Sequence, residues 1–352
     1  MEEDPGRGHY AKKLTEKEIK KLEHEQQLSD YQRTKFEREA KKSWDLFYKR
    51  NTTHFFKDRH WITREFPELL QAISEVDDSH PVLLEVGCGV GNALFPLLEE
   101  NDALFVHACD FSPRAIEFVK SHPGYTEARC SAFVCDITEE PLSSRLRENS
   151  VDIALMIFVL SAISPNNMIP ALKNIFQVLK PGGSVLFRDY GLYDHAMLRF
   201  GRGHKISENF YVRQDGTRAY YFSEEKLAEV CKSAGFQVAE NRYIQRETVN
   251  HKDSISVERI FVQGRFVKPN SECTPKPLSD CTSPPTIITR CLSLYRTTHN
   301  QTIIHTRIVA LTKMKQYYRA KMVFYCPLSI KLERCESSSS VCLPRDEDCR
   351  PP

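Results

Sequence analysis

The 352-residue chain is 41% hydrophobic and 27% charged, enough to bury the core of one large domain or of one domain with appendages. Its 49 Lys and Arg against 47 Asp and Glu leave a formal charge of +2, which excludes a uniformly basic nucleic-acid coat and a wholly acidic solvating chain. Any affinity for nucleic acid must be local, and no run approaches the roughly 18 apolar residues that a membrane span needs.

The first residues, Met1-Glu2-Glu3-Asp4, are acidic and no apolar signal core follows, so neither export nor mitochondrial import is expected; the expectation is a cytoplasmic protein, also nuclear. Cys88, Cys109, Cys130, Cys135 and Cys231 precede residue 270 and form no C-x-x-C pair. Buried thiols in a reducing compartment, with no metal site, are the expectation.

Residues 11–50 are rich in Lys, Glu and Gln, with Thr15 and Glu18 in capping-box spacing, and read as a charged helix with a surplus of four cations. Such a helix either lies along a phosphate backbone or packs one apolar edge and solvates the rest. Between Ser43 and Phe66 aromatics interleave with cations, and both tryptophans of the chain, Trp44 and Trp61, fall here. Lys49, Arg50, Phe55, Phe56, Lys57, Arg59, His60 and Arg64 suit a groove that stacks bases and neutralises phosphates, although some of the aromatics must dock the segment on the core.

From Pro81 onward, strand-like runs alternate with helical patterns, the signature of a parallel sheet covered on both faces. Strands are predicted at Val82–Val86, Phe105–Asp110, Ala132–Cys135, Val151–Phe158 and Ser184–Arg188, helices near 91–99, 113–121, 166–179 and 223–235, and a closing hairpin at 237–249 and 256–267. The domain plan is an N-terminal helical, aromatic-basic extension over 1–80, a catalytic domain over 81–269, and a poorly ordered, atypical tail over 270–352, rich in Pro, Ser and Thr.

Glu85-Val86-Gly87-Cys88-Gly89-Val90-Gly91 follows a predicted strand and opens a helix, where the backbone must turn sharply and approach a ligand too closely for a Cβ. Position 92 is Asn, so the dinucleotide pattern G-x-G-x-x-G is broken, and the Lys-Ser/Thr of a phosphate-binding loop is missing. The acid followed by three alternate glycines resembles the first motif of class I S-adenosylmethionine-dependent methyltransferases. On that resemblance Asp110, ending the second strand, accepts from the ribose hydroxyls, with an N-cap role as the plain alternative. Asp136, ending the third strand, meets the adenine amine, and Ile157 with Phe158, ending the fourth, lie against the adenine face. Leu179-Lys180-Pro181-Gly182-Gly183 before the fifth strand agrees with this class, and ligands of open α/β sheets bind beyond these carboxyl ends.

The segments Trp44-Asp45-Leu46-Phe47-Tyr48-Lys49, Phe55-Phe56-Lys57-Asp58-Arg59-His60-Trp61, Ala108–Ala115 and Phe187–Asp194 are similar to those of the tRNA N3-methylcytidine methyltransferases, over roughly residues 10–269. The resemblance implies an α/β Rossmann-like fold with a seven-stranded, mostly parallel sheet. It implies S-adenosyl-L-methionine as cofactor, held by Trp44, Tyr48, Gly87, Gly89, Asp110, Asp136 and Ile157. It implies cytidine 32 of the anticodon loop of serine tRNAs as acceptor, with seryl-tRNA synthetase as partner. The protein is expected to be a monomer that contacts no membrane.

Cytosine N3 carries a lone pair and no proton at neutral pH, so it needs no general base, and catalysis is mostly positioning. N3 lies on the Watson–Crick edge, so the base must be rotated out into a pocket, which an anticodon loop makes easy. The methylated base is cationic, and a carboxylate near its amine would stabilise it; Asp189 at the end of the fifth strand is the candidate, with capping or a salt bridge as the alternative. Tyr190, Tyr193, Phe55 and Phe56 are candidates to stack on it.

Charge is divided accordingly: 82–187 carries an excess of five acids, whereas 188–218 carries an excess of two cations. Arg199, Arg202, Lys205, Arg213 and Arg218 are the expected phosphate contacts there. A protein or small-molecule methyltransferase would share the cofactor motifs but not need the segment 44–64; an inactive module that binds RNA or the synthetase would not need the cofactor motifs, and a dehydrogenase would need the missing third glycine.

Overall fold

A computed structural model describes residues 8–69, 81–250 and 255–270 of the chain. The tail over 270–352, apart from its first residue, therefore lies outside the described residues, as does the junction at 70–80.

After a two-stranded ribbon, β1 (Gly8–His9) and β2 (Lys12–Lys13), the N-terminal region forms three helices instead of one: α1 (Glu16–Glu23), α2 (Asp30–Arg38) and α3 (Ala40–Asn51). The breaks have local causes. Thr15 closes a capping box with Glu18, as the spacing implied, and Ser29 closes a second one with Gln32. Between them Gln27 bridges to Lys205, and the Leu28 N–H donates to the Lys205 carbonyl at 2.8 Å, so the chain must leave the helix there.

The sheet is built from β3 (Val82–Val86), β4 (Phe105–Asp110), β5 (Cys130–Val134), β6 (Val151–Ile157), β7 (Leu179–Tyr190), β11 (Gln237–Asn250) and β12 (Ile255–Val267), in the order β11-β12-β7-β6-β3-β4-β5. The pairs β5/β4, β4/β3, β3/β6 and β6/β7 are parallel, while β12 runs antiparallel to both β7 and β11. This is the seven-stranded, mostly parallel arrangement expected. The helices Leu94–Glu100, Pro113–Ser121, Pro165–Val178 and Glu224–Ser233 agree with the sequence within a few residues at each end. Pro113 occupies the first turn of its helix, and Ser112 caps it by accepting from the Ala115 N–H.

Alternation along the strands divides the core. Leu84, Val86, Ala154, Met156, Val185 and Phe187 pack on one face with the helices 165–178 and 224–233. Leu83, Val106, Ala108, Leu155 and Leu186 pack on the other with the helix 94–100 and with Ile62 and Phe66. The five described cysteines are buried and free, in keeping with their expected role as small core residues. No described helix is long and apolar enough to cross a membrane.

The basic stretch after β7 folds into an element that counting charges did not reveal. Strands β8 (Lys205–Ser207), β9 (Phe210–Val212) and β10 (Arg218–Tyr220) form a separate antiparallel sheet. Its signal was the Asp215-Gly216 dipeptide between two aromatic, β-prone runs, a hairpin pattern. This sheet is bonded to the N-terminal helices. Tyr211 Oη donates to Glu25 at 2.8 Å, Lys205 pairs with Glu25 at 3.4 Å, Lys21 Nζ donates to the Leu198 carbonyl at 2.6 Å, and Arg218 pairs with Glu37.

Candidate active site

The carboxyl ends of β3, β4, β6 and β7 open into two adjoining chambers that share Trp44, Tyr48, Gly87, Phe158 and Arg218 as common wall. The first, about 450 Å³, runs from Gly87 past Asp110, Asp136 and Thr138 to the α2–α3 end of the N-terminal region. The second, about 410 Å³, lies between the aromatic-basic segment and the β9–β10 hairpin. Both volumes are in the range of small-ligand sites.

The glycine loop forms the floor where they meet. Gly87 has φ +62°, and a Cβ on it would fall 2.6 Å from Val159 Cγ2. A Cβ on Gly89, at φ +56°, would come within 3.0 Å of the Tyr48 hydroxyl. Both positions combine a left-handed backbone with close approach, which only glycine tolerates without strain. Asp110 sits beside the loop, 6% exposed, with Oδ2 accepting from the Gly89 N–H at 3.0 Å and Oδ1 from the Ser112 N–H at 2.9 Å. Burial pushes its carboxyl up to about 6, and those two donors hold it from rising further. The N-cap alternative for Asp110 is taken by Ser112 instead. Asp136 lines the first chamber with Oδ1 fixed by the Thr138 N–H and hydroxyl.

Other sequence candidates move. Ile157 packs into the core at 4% exposure and borders the second chamber, so the apolar wall of the first comes from Phe158, Val159 and Ile137. Phe158 holds φ +61°, a costly conformation for an aromatic residue, at the boundary between the chambers. Arg59, an expected RNA contact, lines the second chamber and reaches inward: Nη1 donates to the Ile157 carbonyl at 3.3 Å, and its guanidinium lies 5.6 Å from the Phe158 ring centroid. Desolvation pulls its pKa down, opposed first by Glu85. Glu85 in turn is 3% exposed, and burial raises its carboxyl to about 8 against the field of Arg59.

Asp189 does not reach either chamber wall. It is fully buried, accepting from the Ser161 N–H on Oδ2 and from the Tyr190 N–H on Oδ1, both at 2.9 Å. The capping alternative describes its contacts, and burial raises its carboxyl to about 6. Among the expected phosphate contacts, Lys205 and Arg218 are spent on Glu25 and Glu37, and Arg213 lines the second chamber; Arg199 and Arg202 stay exposed, as do Lys49, Arg50, Lys57 and His60.

The aromatics of this segment pack on one another and on α3, and several of them also line the second chamber. Phe55, 58% exposed, packs edge-on with both Phe47 and Phe56, and Phe55 and Phe56 line the second chamber together with Trp61. Tyr190 joins them from the sheet, with its ring centroid 5.0 Å from that of Phe158, whereas Tyr193 stacks instead on His9 at 5.3 Å.

Two residues that the sequence did not single out as functional hold this cover in place. Asn92, the residue that breaks the dinucleotide pattern, donates from Nδ2 to the Phe56 carbonyl at 3.2 Å and to Asp58 Oδ1 at 3.0 Å, and accepts from the Arg59 N–H at 2.8 Å. Asp45 accepts from Ser112 Oγ at 2.9 Å and pairs with Arg114 at 3.5 Å, tying α3 to the turn that bears Asp110.

The first chamber fits S-adenosylmethionine: a cradle that a Cβ would fill, a buried carboxylate at the second strand end, a polar third strand end and an apolar wall. Comparison with known proteins agrees with this fit. Residues 84–185 match the family described as "Methyltransferase domain". The chain is 54% identical over 270 residues to the tRNA N(3)-cytidine methyltransferase METTL6 of Homo sapiens, covering 76% of this chain and 95% of the relative. It is 46% identical over 245 residues to tRNA N(3)-methylcytidine methyltransferase trm141 of Schizosaccharomyces pombe, covering 68% and 97%. It is 40% identical over 291 residues to tRNA N(3)-cytidine methyltransferase METTL2 of Xenopus tropicalis, covering 73% and 85%.

Proposed function

The chain belongs to the tRNA N3-cytidine methyltransferase family, and from that premise we propose that it methylates N3 of cytidine 32 in the anticodon loop of serine tRNAs, as a monomer working with seryl-tRNA synthetase. The observation that carries the reading is the pair of chambers with a common wall. The first is built for the cofactor, and the second, lined by Phe56, Phe158, Tyr190 and Phe261 with Arg59 and Arg213, suits one flipped pyrimidine.

When bound, S-adenosylmethionine supplies an electrophilic methyl whose bond to sulfur breaks as the N3 lone pair forms the new N–C bond, leaving a thioether and a cationic base. The chain's own residues position and enclose. Asp110, besides fixing the loop through the Gly89 N–H, would accept from the ribose hydroxyls of the bound cofactor, while Trp44 and Tyr48 cover the junction of the chambers. The aromatic rings hold the base by its faces, and the closed cover excludes water. Exposed Lys49, Arg50, Lys57, His60, Arg199 and Arg202 follow the phosphates.

The test is methyl transfer from labelled S-adenosylmethionine to serine tRNA, with and without seryl-tRNA synthetase, followed by nucleoside mass spectrometry. The reading expects 3-methylcytidine at position 32. Cofactor binding without that nucleoside in either condition would refute it.

A further inference from the structure

With Asp189 sealed behind Ser161 and Tyr190, the exocyclic amine of an acceptor cytosine needs another partner, and the turn joining β9 to β10 offers one. Arg213, Asp215 and Thr217 of this turn all line the second chamber. The turn is rigidly built. Asp215 Oδ1 accepts from the Thr217 N–H at 2.9 Å and from its hydroxyl at 2.7 Å, and Arg213 Nη1 donates to Thr217 Oγ1 at 3.3 Å and to the Arg218 carbonyl at 3.0 Å. Its tip is seated on α3, where a Cβ on Gly216 would fall 2.8 Å from Ser43 Oγ. The Arg213 guanidinium carbon lies over the Tyr190 ring, 5.4 Å from its centroid, and both side chains line the second chamber. Asp215 Oδ2 has no hydrogen bond among the described residues.

We propose that this turn reads the base: Arg213 donates to cytosine O2, Asp215 accepts from the N4 amine, and N3 is left between them for methylation. The inference rests on the reading of the second chamber as the acceptor site. Cytosine presents acceptor, acceptor, donor along this edge, so a donor and an acceptor flanking N3 match it. Uracil would place its O4 carbonyl against the Asp215 carboxylate, leaving two acceptors facing each other. As N3 gains the methyl, positive charge spreads onto the amine, and its hydrogen bond to a carboxylate strengthens. An interaction that is stronger in the transition state than in the ground state raises the rate rather than only the affinity. Arg213 and Asp215 are thus base contacts, distinct from the exposed cations that follow phosphates.

The experiment pairs a protein change with a base change. Native enzyme and Asp215→Asn, with synthetase present, are given tRNA carrying either cytidine or 2-pyrimidinone ribonucleoside at the target position; the latter keeps O2 and N3 and lacks only the amine. Asp215→Asn keeps the Oδ1 acceptor for Thr217, so the turn survives, and unchanged cofactor affinity by calorimetry verifies the fold. Either change alone should slow single-turnover methylation roughly 10- to 100-fold, and the two together should slow it no further. Arg213→Ala should slow the same step while leaving the salt dependence of tRNA binding unchanged.

Additive effects of Asp215→Asn and amine removal would overturn the proposal. A salt slope lowered by about one unit in Arg213→Ala would do the same, by making that residue a phosphate contact. Failure of the native enzyme to methylate any tRNA while binding cofactor would overturn the parent reading, and this one with it; a native enzyme that methylates while the variants behave additively overturns this one alone.

Discussion

Asn92 is the residue that separates this glycine loop from a dinucleotide fingerprint, and its side chain fastens the aromatic-basic cover to the loop. Replacing it with Ala removes the donations to the Phe56 carbonyl and to Asp58 but leaves the Arg59 N–H on the Asn92 carbonyl. A neutral hydrogen bond contributes about 0.5–1.5 kcal/mol, and one to a carboxylate somewhat more; the partly exposed setting keeps the pair near roughly 1–2 kcal/mol together. If that free energy holds the cover closed, cofactor affinity should fall by roughly 5- to 30-fold at about 1.4 kcal/mol per decade. Asn92→Asp, which sets a second carboxylate against Asp58 and the Phe56 carbonyl, should bind more weakly still. Asn92→Gly completes the G-x-G-x-x-G spacing and should nonetheless lose affinity as Ala does. Calorimetry with S-adenosylmethionine reads all three, and the urea midpoint should scarcely move because neither sheet-face core cluster is touched. Dissociation constants within twofold of native for all three variants would refute the idea that this side chain holds the cover.

Asp110→Ala should weaken cofactor binding by at least about 100-fold, through two lost charge-assisted bonds to the ribose and a loosened Gly89 N–H, and abolish 3-methylcytidine in the same preparation. Asp189→Asn turns an amide donor toward either the Ser161 or the Tyr190 N–H and should lower unfolding free energy by about 1–3 kcal/mol in urea; native stability with a severely slowed methyl-transfer step would return Asp189 to the chemistry. Glu85 is raised to about 8 in the folded state, so the folded protein binds its proton more tightly than the unfolded chain does. Stability of the cofactor-free protein should therefore fall as pH rises from about 4.5 to 8, by an amount on the order of a few kcal/mol. Glu85→Gln should flatten that part of the profile in thermal melts, and an unchanged pH slope would show that Glu85 does not set it.

The sheet was legible because its signals are local. Val82–Val86 and Val151–Ile157 are short buried apolar runs, Pro113 and Ser112 mark a helix start, and the glycines of 87–91 follow a strand end directly. The catalytic surroundings were legible in composition and not in role. Arg59, Lys205, Arg213 and Arg218 all count as cations in a sequence, yet Lys205 and Arg218 are paired with Glu25 and Glu37, Arg59 donates inward to the Ile157 carbonyl, and Arg59, Arg213 and Arg218 line the second chamber. Burial decides among such fates, and burial depends on contacts far away along the chain. Asp189 misled for the same reason, since a strand-end carboxylate looks alike whether it faces a ligand or the turn at Ser161. The single long helix expected over 11–50 failed at Gln27 and Leu28, whose partner, Lys205, is invisible to helical periodicity.

The bonds between the N-terminal helices and β8–β10 have a consequence for the order in which the molecule assembles. Lys21 meets Leu198, Glu25 meets Tyr211 and Glu37 meets Arg218 across sequence separations of 177, 186 and 181 residues, whereas the neighbouring strands β3 and β4 are joined by a single helical crossover. Closing loops of that length is entropically expensive until a scaffold has brought the ends together. The sheet with its glycine loop should therefore mature first, and the amide of Leu28, bonded to the Lys205 carbonyl, should gain protection from hydrogen exchange later than those of Leu84 and Ala154. A chain in that interval would hold the glycine loop and Asp110 but lack both the α2–α3 wall of the first chamber and the β9–β10 wall of the second, so the two chambers are completed together.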